Sequence, residues 1–220
     1  CAWNAPAIVI SEQGEATATI VLGDAPAPAE RTAARELAAY LGKITGGTFP
    51  VVTEAEAAPL TNRIFVGPCA FALEQGVDVA ALGSEEWRLR TAGGDLLLTG
   101  GRPRGTLYAV YRFLEDIAGV HWWNAYEETV PSQPSFRVEA LDRSGKPVFR
   151  YRDIYMLYTE DNGAFAARNR LNRCGDYKIA ADYGGDLGYG MPAHVHTFYT
   201  YLPPEEYFDA HPDWFSLIDG

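Results

Sequence analysis

Basic residues are scarce in this 220-residue chain: 18 Lys and Arg stand against 29 Asp and Glu, a net charge of −11. An acidic surface repels phosphate backbones and anionic lipid, which argues against nucleic-acid partners and charge-driven membrane binding. Long apolar runs are missing; none approaches the roughly 20 residues a membrane-crossing helix needs. Cysteine is limited to Cys1, Cys69 and Cys174. An odd, widely spaced set gives neither a disulfide framework nor a zinc pattern. There is no starting Met and no signal-like segment, as expected of a processed or trimmed chain. Internal repeats and low-complexity stretches are also lacking.

What is present is a globular composition, 47% hydrophobic and 13% aromatic, with enough apolar mass for a core. Short β-rich runs open the chain, "PAIVISEQ" and "ATATIVLG". The period then changes: Ala34, Leu37, Ala38, Leu41 and Ile44 share one helical face, with Pro28 in the first turn and Gly46-Gly47 as the stop. "FPVVTE" reads as a strand, and "NRIFVGPC" as a buried parallel one. "EEWRLRTAGGDLLLTGG" reads as a hairpin turning at Gly93-Gly94. Leu107, Val110, Tyr111, Leu114 and Ile117 mark a second amphipathic helix. This alternation predicts an α/β domain with a mixed sheet over residues 1–141, then a linker over 142–148 marked by "DRSGKP". From 149 to 220 the pattern restarts. "PVFRYRDIYMLY" is expected as a strand, "NGAFAARNRLNRCG" as a helix, "AHVHTFYTYL" as extended, "PPEEYFDAHP" as a short helix and "DWFSLI" as a strand.

Several residues carry candidate chemistry. His194 and His196 are two apart on the expected extended segment, so both leave one face. Such a pair can supply two zinc ligands, contact a sugar, or make structural hydrogen bonds. No third ligand stands at a recognisable spacing, so no metal and no cofactor is expected. Neutral imidazole both donates and accepts, as sugar hydroxyls require, and Phe198, Tyr199 and Tyr201 offer flat apolar faces. Glu160 and Asp161 are neighbours on one turn. They seldom straddle a glycosidic bond, whose cleavage needs carboxyls about 5–5.5 Å or roughly 6.5–9.5 Å apart. "GGRPRG" matches no phosphate-loop spacing; its glycines fit a tight turn and close packing. Trp122 and Trp123 should face opposite ways, one into the core. Cys69 and Cys174 read as buried small residues. Cys1 fits either an arbitrary boundary or the acylated cysteine left when a bacterial lipoprotein signal is cleaved, a membrane tether through lipid.

"AARELAAYLGKITGGTFPVV", "RIFVGP" and "LLLTGGRPRGTLYAVYRFLEDIAGVHWW" resemble the N-terminal α/β domain of family 67 α-glucuronidases, an accessory domain also found before the barrels of families 20, 84 and 115. "HVHTFYTYLPPEEYFDAHPDWFSLIDG" resembles the barrel start of domain of unknown function 4838. The resemblance implies a (β/α)₈ barrel beginning near Phe149, of which this chain holds roughly the first quarter, with catalytic carboxylates beyond Gly220. "PVFRYRD" is similar to the first barrel strand of family 20 hexosaminidases, whose arginine binds sugar. Pro147, Phe149 and Arg152 match, while Asp153 stands where that family has glycine. Arg152, His194, His196 and Tyr199 are thus the expected substrate contacts, carbohydrate the expected ligand, and an exported, extracytoplasmic protein the expected setting. The alternatives are a non-catalytic glycan-binding surface lipoprotein and a metal-dependent hydrolase using the two histidines.

Overall fold

The computed structural model describes residues 7–154, 162–175, 178–190 and 195–216. They fall into two compact units, Cys1–Asp186 and Leu187–Gly220. The first unit runs β1 (Ile8–Glu12), β2 (Glu15–Ala16), β3 (Thr19–Leu22), α1 (Pro28–Thr45), β4 (Val51–Thr53), α2 (Glu54–Ala57), β5 (Arg63–Val66) and α3 (Ala70–Glu74). It continues through β6 (Trp87–Ala92), β7 (Asp95–Gly100), α4 (Gly105–Asp116), β8 (His121–Trp122), β9 (Glu128–Thr129), β10 (Phe136–Val138), β11 (Asp142–Gly145) and α5 (Asn162–Arg168).

The main sheet has six strands in the order β11-β6-β7-β5-β3-β4. β4, β3, β5 and β7 are parallel, while β6 and β11 add antiparallel. Parallel strands need both faces covered, and these are. Ile20, Ile64, Leu96 and Leu98 enter a core shared with Leu37, Leu41 and Ile44 of α1 and Leu107, Val110 and Leu114 of α4. Val21, Phe65 and Leu97 point the other way, against Ala57, Cys69 and Ala72. A three-stranded antiparallel sheet, β10-β1-β2, adds Ile8, Ile10, Phe136 and Val138 to the first core.

α1 obeys its sequence signals, with Pro28 in its first turn and its end before Gly46. The Glu30 carboxylate folds back to accept the Ala27 N–H (2.6 Å) and the Arg102 guanidinium (2.8 and 2.9 Å). It lies against Gly67, just past β5. That place, at the carboxyl ends of parallel strands where the chain reverses direction across the sheet, is where open α/β sheets usually receive ligands. Here the protein's own ion pair occupies it.

α4 is buried on more than the expected face, since Tyr108, Ala109 and Phe113 are also inaccessible. The sheet and α1 cover one side; on another, the Tyr108 hydroxyl reaches the Leu171 carbonyl (3.3 Å). Its start is held by backbone-to-backbone packing. A Cβ on Gly105 would lie 2.3 Å from the Glu86 carbonyl oxygen, and one on Gly100 would lie 2.3 Å from the Gly105 carbonyl carbon. Only hydrogen fits there, so residues 83–86 can lie directly on the β7–α4 turn.

Four expectations are corrected. The segment expected as linker, 142–148, contributes β11, which pairs with β6 in the register Asp142↔Arg90 to Gly145↔Trp87. It is a polar edge strand held by backbone bonds and by the Arg90–Asp142 pair, so hydropathy gave no sign of it. Nor is residue 149 a packing boundary, since Phe165 and Ala167 of α5 join the main core. The stretch expected as extended, Ala193–Leu202, contains a helical turn, α6 (Phe198–Tyr201). After α7 (Pro204–Tyr207), the expected strand at Asp213 begins as a 3-10 turn, Pro212–Trp214. Aromatics suit strands and turns alike, and the prolines at 203, 204 and 212 favour turns. Among the described residues no strand follows β11; Tyr155–Tyr158 of the expected barrel strand lie outside them.

Gly105→Ala is expected to cost about 3 kcal/mol, because backbone must move to admit the methyl. Gly188→Ala, with nothing within 4 Å, should change stability by less than about 0.5 kcal/mol. Urea unfolding of both variants checks the contrast.

Candidate functional site

The densest polar cluster in the first unit surrounds one carboxylate, Glu85, whose side chain is only 12% exposed. The glycine-permitted packing of residues 83–86 puts it beside α4. Its Oε1 accepts hydrogen bonds from Arg104 Nε, Arg152 Nη2 and Asn172 Nδ2, each at 2.9 Å, and from the Tyr108 hydroxyl at 3.3 Å. Its Oε2 takes Arg152 Nη1 at 2.9 Å. Burial alone would raise this group's pKa. Hydrogen bonds from Arg152 and Asn172, with the charges of Arg152 and Arg104, outweigh burial and hold it below its ordinary value.

Arg152 was expected to touch sugar. Instead its donors are used inside the protein. Nε donates to the Arg170 carbonyl (2.8 Å), Nη1 to Glu85 and the Phe149 carbonyl (2.6 Å), and Nη2 to Glu85 and the Tyr108 hydroxyl (3.1 Å). A guanidinium has five N–H donors, so none is left over for a ligand. Asn172 completes the knot: Oδ1 accepts the Arg152 N–H (2.9 Å), and Nδ2 also donates to the Arg150 carbonyl (2.8 Å). The arginine that the sequence offered as a contact ties Glu85 and Tyr108 to Phe149, Arg170 and Asn172. Glu85, Tyr108 and Asn172 went unnoticed in the sequence, where nothing marks residues so far apart as partners. Arg104 stood inside "GGRPRG", but the glycines drew the attention.

A second knot ties α5 down. Arg168 grips Glu36 of α1 through Nη2 and Nε (2.8 and 3.1 Å), and the Tyr183 hydroxyl donates to the same carboxylate (3.1 Å). Trp122 is buried, and its Nε1 donates to Tyr40 (2.7 Å); Trp123 is 63% exposed. The adjacent tryptophans do face opposite ways. Cys69 and Cys174 are both buried thiols.

The remaining candidates belong to the second unit. His194 lies outside the described residues, as do Cys1, Glu160 and Asp161. His196 is exposed and left-handed (φ 54°), a conformation that histidine tolerates better than most residues. Tyr199, on α6, is 69% exposed. Tyr199 meets Phe198 edge-on at 5.7 Å, and the same unit exposes Phe198, Tyr201, Phe208 and Trp214, all 46% exposed or more. The rings touch one another: Phe208 meets Phe215 at 5.4 Å, and the His211 imidazole stacks flat on Trp214 at 3.8 Å. No described residue of this unit is fully buried. Its aromatics form an open cluster rather than a core. Among the described residues no group of three His, Cys, Asp or Glu side chains could hold a metal.

The chain's fold is similar to part of several solved glycoside hydrolases. One similar solved structure is described as a family GH115 4-O-methyl-α-glucuronidase, BtGH115A, with specificity for decorated arabinogalactans. It has a TM-score of 0.61 and 18% identity over 83% of this chain and 29% of that one. Another is the GH20 β-N-acetylhexosaminidase of Streptomyces coelicolor A3(2), with a TM-score of 0.51 and 18% identity over 77% and 31%. A third is the Streptomyces plicatus N-acetyl-β-hexosaminidase, at 0.50 with the same identity and coverage. Such identities establish likeness of fold, and the chain spans less than a third of each of these proteins. Residues 122–220 match the family model of domain of unknown function 4838, as the sequence resemblance implied. No curated protein matches the chain.

Glu85→Gln should lower stability at pH 7 by about 2–3 kcal/mol, since two buried guanidiniums lose their counter-charge. Because the folded carboxyl sits below its usual 4.5, its contribution is present above that pH and fades as pH falls through the folded value. Urea midpoints at pH 7 and pH 3.5 should therefore differ more in the wild type than in the variant.

Proposed function

We propose that this chain is part of a carbohydrate-active protein built like a glycoside hydrolase. Its α/β unit is a rigid frame, and the segment 187–220 contributes to glycan binding. The observation that carries this reading is the open aromatic cluster, in which Tyr199 is exposed beside Phe198, with His196 exposed nearby in the chain. Flat apolar faces beside a group that donates and accepts suit the C–H faces and hydroxyls of a pyranose. The fold likeness to an α-glucuronidase and to hexosaminidases supports the same class.

Within this proposal, residues from about 149 onward open a (β/α)₈ barrel, and the hydrolytic carboxylates come from beyond residue 220. The full protein then cleaves a glycosidic bond, with the uronic and amino sugars of the similar enzymes as first substrate classes. Export, and acylation of Cys1, belong to the same proposal. No observation favours the non-catalytic lipoprotein instead.

Titration calorimetry with a methylglucuronyl oligosaccharide and an N-acetylglucosamine trimer tests the reading. Binding of at least one is expected. Tyr199→Ala should weaken it about 2- to 10-fold, the equivalent of roughly 0.5–1.5 kcal/mol for an aromatic contact. His196→Ala should also weaken it, and neither sugar should be hydrolysed by this chain. Absence of binding to both, or turnover that vanishes in Glu160→Gln, would sink the reading.

A further inference from the structure

The segment 187–220 contains no lysine and no arginine. Its carboxylates are Glu205, Glu206, Asp209, Asp213 and Asp219. They carry −5 of the chain's −11, so residues 1–186 are net negative as well. The segment itself therefore has no guanidinium or ammonium to receive an anionic sugar. The two units also differ in how carboxylates are paired. In the first, Glu30, Glu36, Glu85 and Asp95 are each held by an arginine. In the second, Glu205, Glu206, Asp209 and Asp213 are exposed, and none of these four takes part in an ion pair.

These charges stand among the rings. Glu205 and Glu206 belong to α7, which also carries Tyr207, and Asp213 directly precedes Trp214. The Tyr207 and Trp214 rings lie 6.0 Å apart, and His211 stacks on Trp214 at 3.8 Å. Trp214 is still 46% exposed. The charge of Glu206 pushes the Tyr207 hydroxyl's pKa above its ordinary value, as a carboxylate close to the ring should. An aromatic face is the negative part of the ring and attracts an ammonium group within about 6 Å. Unpaired carboxylates add to the same field, which reaches about 8–10 Å before salt screens it. Both features favour a cation and repel a carboxylate.

We propose that the glycan taken by the segment 187–220 carries free amines, as a deacetylated amino-sugar chain does, and that uronic acids are disfavoured there. This inference rests on the glycan-binding function proposed above and chooses among the sugar classes it leaves open. The pyranose C–H face lies on exposed rings such as Trp214, and the ammonium group is drawn to Glu206 and Asp213. A neutral sugar keeps the first contact and lacks the second. A uronate meets like charge in place of the second.

The test is calorimetry on the 220-residue chain at pH 7 with β-1,4-linked trimers of glucosamine, N-acetylglucosamine and glucuronic acid. At low ionic strength the glucosamine trimer should bind about 3- to 10-fold more tightly than the N-acetylated one, and the glucuronic acid trimer at least about 3-fold more weakly. In about 1 M salt the three affinities should converge to within about 2-fold. The double variant Glu206→Gln/Asp213→Asn, checked for native circular dichroism, should show a glucosamine-to-N-acetylglucosamine affinity ratio about 2- to 4-fold lower than the wild type. Equal affinity for the three trimers, or tightest binding of the uronate, overturns the inference and leaves the glycan-binding reading standing. An unchanged ratio in the double variant also overturns it. So does a lysine trimer that binds as tightly as the glucosamine trimer, since the segment then reads charge without sugar. If no trimer binds, and the methylglucuronyl oligosaccharide does not bind either, the proposed function and this inference fall together.

Discussion

One carboxylate ties the sheet of the first unit to the residues that follow the sheet within the same unit. Glu85 is approached by two arginines, a tyrosine and an asparagine, drawn from the β7–α4 turn, from α4 and from residues 152 and 172. Its position depends on glycine, because residues 83–86 reach α4 only where Gly100 and Gly105 leave room. Its charge depends on the arginines, which outweigh the cost of burial. A fork of donors on one carboxylate gives a single register. The Glu36–Arg168 pair repeats the device on α1.

The two units use aromatic residues in opposite ways. In the first, Tyr40, Tyr108 and Trp122 are buried and have their polar atoms engaged. Buried rings with satisfied hydroxyls and indole N–H groups stabilise a core. In the second, rings of the same kinds stack on one another, yet none of the described ones is fully buried. That contrast, more than any single residue, separates frame from surface.

The frame was largely legible. The spacing of Leu37, Leu41 and Ile44 gave α1, the apolar run of residues 64–66 gave a buried parallel strand, and Gly93-Gly94 gave the hairpin turn. These signals are local, so one sequence suffices to read them. β11 was not legible, because an exposed edge strand such as "DRSG" is set by its partner's backbone and leaves no hydrophobic period. α6 is hard to read because Phe198–Tyr201 is aromatic except at Thr200, and so short a run does not separate turn from strand. Arg152 shows a different limit. A family phrase implied a sugar contact for it, while in the structure its donors meet Glu85, 67 positions away in the chain.

The ion pair of Glu30 and Arg102 bears on how such domains are interpreted. A mixed α/β sheet with a glycine-rich turn invites assignment as a nucleotide or anion binder. In this chain the berth at the carboxyl edge already holds an anion, supplied in cis by α1 and neutralised by the turn's own arginine. The position where such sheets receive ligands is filled from within. A fold comparison that looks only at strand order would see a receptor here; one that looks at side chains sees a keystone.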